Sequence, residues 1–157
     1  MDAEQARLEI TDLLTPRSVI AQLRAPTKRQ VLQELARRAA TMTGVADKRI
    51  YDALTERERL GTTGIGTGVA IPHCRLAELT RMHGLFARLE RPVPFEAIDD
   101  QPVDLVFLLL APLDAGAEHL KALARVSRLL RDRATCEKLR GANSADALYA
   151  LLTETAA

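Results

Sequence analysis

Three side chains in this sequence have types and settings that ordinary packing does not call for. The first, His73, closes the run Gly64-Ile65-Gly66-Thr67-Gly68-Val69-Ala70-Ile71-Pro72-His73. Closely spaced glycines, a short apolar stretch that predicts a buried strand, and a proline restrict the backbone leading into it, so its imidazole is held by a stiff turn. A neutral imidazole carries a lone pair near neutral pH and serves as base, metal ligand or nucleophile. The second, His119, shares a helical stripe with Leu123, Val126 and Leu130, at spacings of four, seven and eleven. It therefore faces inward close to a helix N-terminus, where unpaired amides and the helix dipole favour anions. The third, Arg57, follows Ile50 and Leu54 at spacings of seven and three, so a guanidinium extends an apolar stripe. A buried guanidinium requires an anion, and its planar fork suits a phosphate. The competing reading of Arg57 is an ion pair with Glu56, Glu58 or a remote carboxylate, or a snorkelling side chain at the helix end. That of His73 is an imidazole that only hydrogen-bonds.

Other groups offer less. Thr62 and Thr63 present hydroxyls either to an anion or to a turn. The glycine-rich segment lacks the full dinucleotide-binding spacing and leads into a strand, and the chain holds neither a GxxxxGK[ST] phosphate loop nor a GxSxG elbow. A metal site built from His73, Cys74 and His119 with Asp114 or Glu118 is the weaker alternative, because adjacent ligands are geometrically awkward and no spaced pairs occur. His83, in Arg81-Met82-His83-Gly84, has no comparable context and is read as structural or solvated. Lys121, Arg125 and Arg128 form a basic stripe, read as a solvated face with partner docking as the alternative. Glu96, Asp99 and Asp100 fall in a loop without the pattern of a catalytic carboxylate pair.

The elements that must position these groups follow from periodicity and caps. Val19 to Leu23 predicts a strand. Thr27 and Gln30 resemble a capping box for a helix carrying Val31, Leu32, Leu35, Ala36 and Ala39 up to Gly44. A second helix is predicted over Asp47 to Arg59, stopped by Gly61. Leu85 to Leu89 and Val103 to Leu110 predict strands, separated by the proline-punctuated segment Arg91 to Pro102. The run Val106 to Leu110 is apolar without alternation, as in a central strand covered on both faces. Helices from about Ala115 to Arg131, a short one ending at Gly141 and one capped by Ser144 would supply that cover. The expected fold is α/β, a single domain with a sheet between helical layers.

Composition narrows the class. The chain has 157 residues, 22 basic and 21 acidic side chains, and 3% aromatic residues with no tryptophan. One core is supported, while neither a strong basic field nor a base-stacking platform argues for nucleic acid. Two cysteines outside any CxxC unit suit a reducing compartment. No apolar stretch reaches the roughly 20 residues of a spanning helix, and the polar N-terminus is unlike a signal peptide, so a soluble cytoplasmic protein is expected.

Four ordered segments carry a resemblance: Arg57-Glu58-Arg59-Leu60-Gly61, the Gly64 to His73 run, Phe95 to Leu105, and Glu118-His119-Leu120. Over about residues 13 to 152 the chain resembles the enzyme IIA phosphocarriers of the phosphoenolpyruvate-dependent phosphotransferase system, in the mannitol and fructose class, most closely the nitrogen-regulatory branch. The resemblance implies a mixed sheet sandwiched by helices on both faces. It implies that His73 accepts a phosphoryl group from a small HPr-like histidine-phosphorylated carrier, with Arg57 and His119 in support and with no metal or organic cofactor. It further implies regulated protein targets, such as potassium-transport or sensor proteins. A sugar-specific IIA component passing phosphate to a IIB protein, and a binding module that docks without phosphorylation, are the alternatives. One departure stands out: the family usually has glycine after the active histidine, and here Cys74 brings a side chain to that turn and to the donor's approach.

Overall fold

The computed structural model describes residues 9–155. Its spine is β6 (Val103–Pro112), buried at every residue but Asp104. Around it lie β1 (Val19–Leu23), β2 (Gly64–Gly66), β3 (Val69–Ala70), β4 (His73–Leu76) and β5 (His83–Val93), giving a mixed six-stranded sheet in the order β1-β5-β6-β3-β2 with β4 also on β6. β5 runs antiparallel to β6, with Phe86 opposite Phe107, while β1 joins β5 in parallel. Six α-helices and a 3-10 turn (Pro16–Ser18) complete the described residues: α1 (Ile10–Leu13), α2 (Lys28–Thr43), α3 (Asp47–Arg59), α4 (Gly116–Arg131), α5 (Arg133–Gly141) and α6 (Ala145–Thr155).

Period-two geometry sends successive β6 side chains to opposite layers. Val106, Leu108 and Leu110 pack with Leu35 of α2 and with Ile50 and Leu54 of α3. Leu105, Phe107, Leu109 and Ala111 pack with Val126 and Leu130 of α4, Leu139 of α5, and Leu148 and Leu152 of α6. Covered on both faces, β6 needs no polar alternation, which is why its sequence shows none. The fold is therefore α/β, a mixed sheet sandwiched by helices.

Local signals account for the helix ends. The Thr27 hydroxyl accepts from the Gln30 amide at the start of α2, and Gly44 ends that helix in the left-handed region at φ 79°. Ser144 accepts from the Ala147 amide to cap α6, and Asp132 from the Thr135 amide to cap α5.

Two strand expectations are corrected. β5 continues past Leu89 through Arg91 and Pro92 to Val93, because its pairing with β6 is interrupted between Arg88 and Val93, where proline's missing N–H costs no ladder bond. And His73 does not simply follow a strand: β3 and β4 both run parallel to β6, and Ile71-Pro72 is a break between them. Pro72 cannot donate, but its carbonyl accepts from the Leu109 amide, so the chain stays on β6 through the break. His73 is the first residue of β4, beside Leu109.

Candidate active site

The glycine-rich segment forms a tight turn between β2 and β3. Gly68 sits at φ 83°, and a Cβ there would lie 2.5 Å from an Arg140 nitrogen. Gly64 lets Ala97 approach: a Cβ would stand 2.9 Å from that of Ala97. The segment is thus built to pack. Both threonines before it are likewise committed: Thr62 Oγ1 donates to the Phe95 carbonyl, and the amide and hydroxyl of Thr63 both donate to the Glu58 carboxylate.

The Thr63 carbonyl accepts from the Ile71 amide, 3.0 Å away. The Ile71 carbonyl in turn lies 2.8 Å from Nδ1 of His73. A carbonyl can only accept, so Nδ1 carries the proton and Nε2 of the neutral ring keeps its lone pair. Arg57, in the last turn of α3, donates from Nε to that Nε2 at 3.1 Å and from Nη1 to the Gly61 carbonyl at 2.8 Å. The sequence stripe through Ile50 and Leu54 thus delivers Arg57 to His73, and the expected alternative of an ion pair with Glu56 or Glu58 is not what it makes. Glu56 pairs with Arg59, and Glu58 with Lys28.

His119 approaches from the opposite layer. Placed in the first turns of α4, it is buried, and its ring meets that of His73 edge to face with centroids 5.3 Å apart and planes at 77°. Its Nε2 has no hydrogen-bond partner among the described residues. Burial, then the neighbouring His73 and Arg75, push the His119 pKa down to about 4. Burial also lowers that of His73, assisted by Arg57 and opposed by the Ile71 carbonyl. Both imidazoles therefore stay neutral at physiological pH.

The residues named in the metal alternative do not converge on one point, although His73, Cys74 and His119 all border one cleft. Along β4 the side chains alternate, so Cys74 turns away from His73 into the layer under α3, where burial pushes its thiol up to about 12. Cys74 has no positive φ, so that position does not demand glycine. Asp114 and Glu118 line a different hollow, with Thr80 and Arg81. Among the described residues no three His, Cys, Asp or Glu side chains cluster as a metal would require.

Of the basic stripe, Lys121 and Arg128 are exposed, but Arg125 is half-buried and pairs with Glu9, correcting the reading of a solvated face. Asp99 accepts from the Thr67 and Gln101 amides, and Glu96 pairs with Lys28, which places these loop carboxylates in structural roles.

Two further side chains contribute to the cleft and its support, Arg75 and Glu58. Arg75, two residues along β4 from His73, lines the same cleft. Glu58, whose side chain is only 7% exposed, clamps Thr63 and is balanced by Lys28 at 3.0 Å. Glu58 lies four residues after Leu54, on the same inward stripe, which was its available signal. Around the cleft the apolar side chains Leu60, Leu113 and Leu120 are 84%, 57% and 69% exposed.

A histidine pair with a guanidinium thus stands at the end of a mixed sheet between helical layers. The family description "Phosphoenolpyruvate-dependent sugar phosphotransferase system, EIIA 2" matches residues 12–155, and the chain belongs to that family. Its relatives place it in the nitrogen-regulatory branch. The "Nitrogen regulatory protein" of Bradyrhizobium diazoefficiens is 54% identical over 145 residues, covering 92% of this chain and 95% of that one. The crystal structure of nitrogen regulatory protein IIA-Ntr from Neisseria meningitidis is 33% identical, with a TM-score of 0.88 over 92% of this chain and 99% of that one. The mannitol IIA of Escherichia coli shares the fold, with a TM-score of 0.75 at 22% identity over 88% of this chain and 98% of that one. Among the described residues no helix is long and apolar enough to cross a membrane.

Proposed function

We propose that the chain is a cytoplasmic phosphohistidine carrier of the nitrogen-related phosphotransferase system, that His73 accepts its phosphoryl group from an HPr-like protein, and that the phosphorylated and free forms bind partner proteins differently. The observation that carries this reading is the tautomer of His73, whose Nδ1 proton is held by Ile71 while the Nε2 lone pair faces Arg57.

In the reaction the Nε2 lone pair attacks phosphorus of the donor's phosphohistidine. The donor's P–N bond breaks, and its electron pair returns to the leaving imidazole. Transfer of this kind asks the protein mainly for positioning and charge stabilisation. Arg57 holds the lone pair until the donor arrives, then exchanges that hydrogen bond for a phosphoryl oxygen, a stronger charge-assisted contact. The positive charge that develops on the His73 ring is stabilised at Nδ1–H by the Ile71 carbonyl. His119 Nε2, buried and without a partner, can donate to a phosphoryl oxygen when that nitrogen carries the proton. No step calls for a metal or organic cofactor. The exposed Leu60, Leu113 and Leu120 form the apolar rim on which a donor or target would dock.

The test is incubation with the phosphorylated carrier followed by peptide mapping under alkaline conditions. One phosphate on His73, absent from His73→Ala, supports the reading; an equally phosphorylated His73→Ala protein overturns it. A second reading is a sugar-specific IIA component that passes phosphate to a IIB protein. The fold of mannitol IIA, known in complex with phosphorylated mannitol IIB, favours it with a TM-score of 0.75 at 21% identity. Transfer from the phosphorylated chain to a sugar-type IIB would support that alternative.

A further inference from the structure

A second cavity, of about 400 Å³, opens between α2, the turn Pro16–Ser18 and the start of β5, and shares no lining residue with the His73 cleft. Four cationic or titratable side chains from separate segments meet around it: Arg17, Arg38, Arg81 and His83. Arg17 and Arg81 make no hydrogen bond or ion pair among the described residues, and Arg38 has only a 3.6 Å contact with Glu34, which Arg37 already engages. One carboxylate, Asp12, also lines the cavity, and its Oδ2 already accepts from the Glu9 amide at 2.9 Å. The floor is apolar, formed by Ile20, Met42 and Leu85.

Three guanidinium groups facing one committed carboxylate leave an excess of positive charge over an apolar floor. Guanidinium forks match phosphate oxygens in geometry and charge, the floor suits a short carbon skeleton, and the volume falls within the range of small-molecule sites. We propose that this cavity binds a small phosphate monoester, a site separate from the phosphoryl-transfer centre and independent of the reading of His73. His83 marks its wall. It pairs with Leu110 of β6, whose other neighbour is Cys74, so the site lies two strand spacings, roughly 10 Å, across the sheet from the His73 strand. Burial and Arg81 lower the His83 pKa, and an anion bound beside it would raise that pKa again.

The chain has only three histidines, so their ring resonances serve as separate reporters by NMR. The full chain would be titrated with glycerol 3-phosphate and, in a parallel arm, with inorganic phosphate. The expected result is a saturable shift of the His83 ring, tighter for the ester than for inorganic phosphate. The double variant Arg17→Gln/Arg81→Gln, at exposed positions that the fold does not need, should weaken it by about tenfold or more, as loss of charge-assisted contacts implies. Shifts confined to His73 and His119, or an unchanged affinity in the double variant, would overturn the site. Equal or tighter binding of inorganic phosphate would overturn the ester.

Discussion

At the level of single residues, phosphoryl acceptance depends on which nitrogen of His73 is free. The Ile71 carbonyl decides this, and Arg57 then meets the exposed lone pair. His73→Ala is expected to abolish phosphoryl acceptance. Arg57→Gln, which removes the charge but leaves α3 intact, should slow acceptance by about 10²- to 10³-fold, the usual loss for one preorganised donor to a developing anion. Rapid-quench assays with pre-phosphorylated donor, alongside unfolding curves, separate that effect from instability. Because burial lowers the His73 pKa, the acceptance rate at saturating donor should hold constant from pH 8 to below the ordinary imidazole value of 6.5. His119 contributes a stability term of definite sign. Its folded pKa of about 4 lies below its ordinary 6.5, so between those values the unfolded chain binds more protons. Stability from this group is complete above about pH 6.5 and falls as pH drops toward 4. His119→Gln should therefore lose less of its urea midpoint between pH 7 and pH 5 than the parent does.

At the scale of elements, the site depends on a chain of contacts that begins away from it. Lys28 at the start of α2 balances Glu58; Glu58 holds Thr63; Thr63 holds Ile71; and Ile71 holds His73. Glu58→Ala leaves the Thr63 donors and Lys28 without their acceptor, at a cost of about 1–3 kcal/mol in unfolding free energy. It should also slow acceptance at saturating donor with little change in KM, a split that destabilisation alone would not give. Much of this element scale was legible in the sequence. The helices carrying Arg57 and His119 announce themselves through the 3.6-residue period of their apolar stripes, without side-chain caps, and β6 through its unbroken apolar run. β4 was not legible, because it has four residues and its pairing on β6 is separated from β3 by Pro72. With that strand hidden, alternation could not show that His73 and Arg75 share one face of β4 while Cys74 takes the other, in the layer under α3. Nor does spacing say which cation meets Glu58. Lys28 lies thirty residues earlier, and only tertiary packing brings it there.

At the scale of the whole molecule, the sheet brings residues from its two helical layers to one end: Arg57 from one, His119 from the other, and His73 on a short strand between them. The cleft so formed is rimmed by Leu60, Leu113 and Leu120, large apolar groups left in water. Such a rim favours association with another protein surface, and a phosphoryl group at its centre would change the charge that surface presents. Leu120→Asp is expected to raise KM for the donor about tenfold or more while leaving the unfolding midpoint close to that of the parent, since the side chain is 69% exposed. Whether Nε2 of His73 is the acceptor is read out by ¹⁵N NMR of the histidine-labelled protein, phosphorylated by its carrier and kept alkaline. One phosphohistidine is expected, at position 73, with the phosphorus on Nε2 and the Nδ1 proton retained; phosphorus on Nδ1, or on another residue, would rule out Nε2 of His73 as the acceptor.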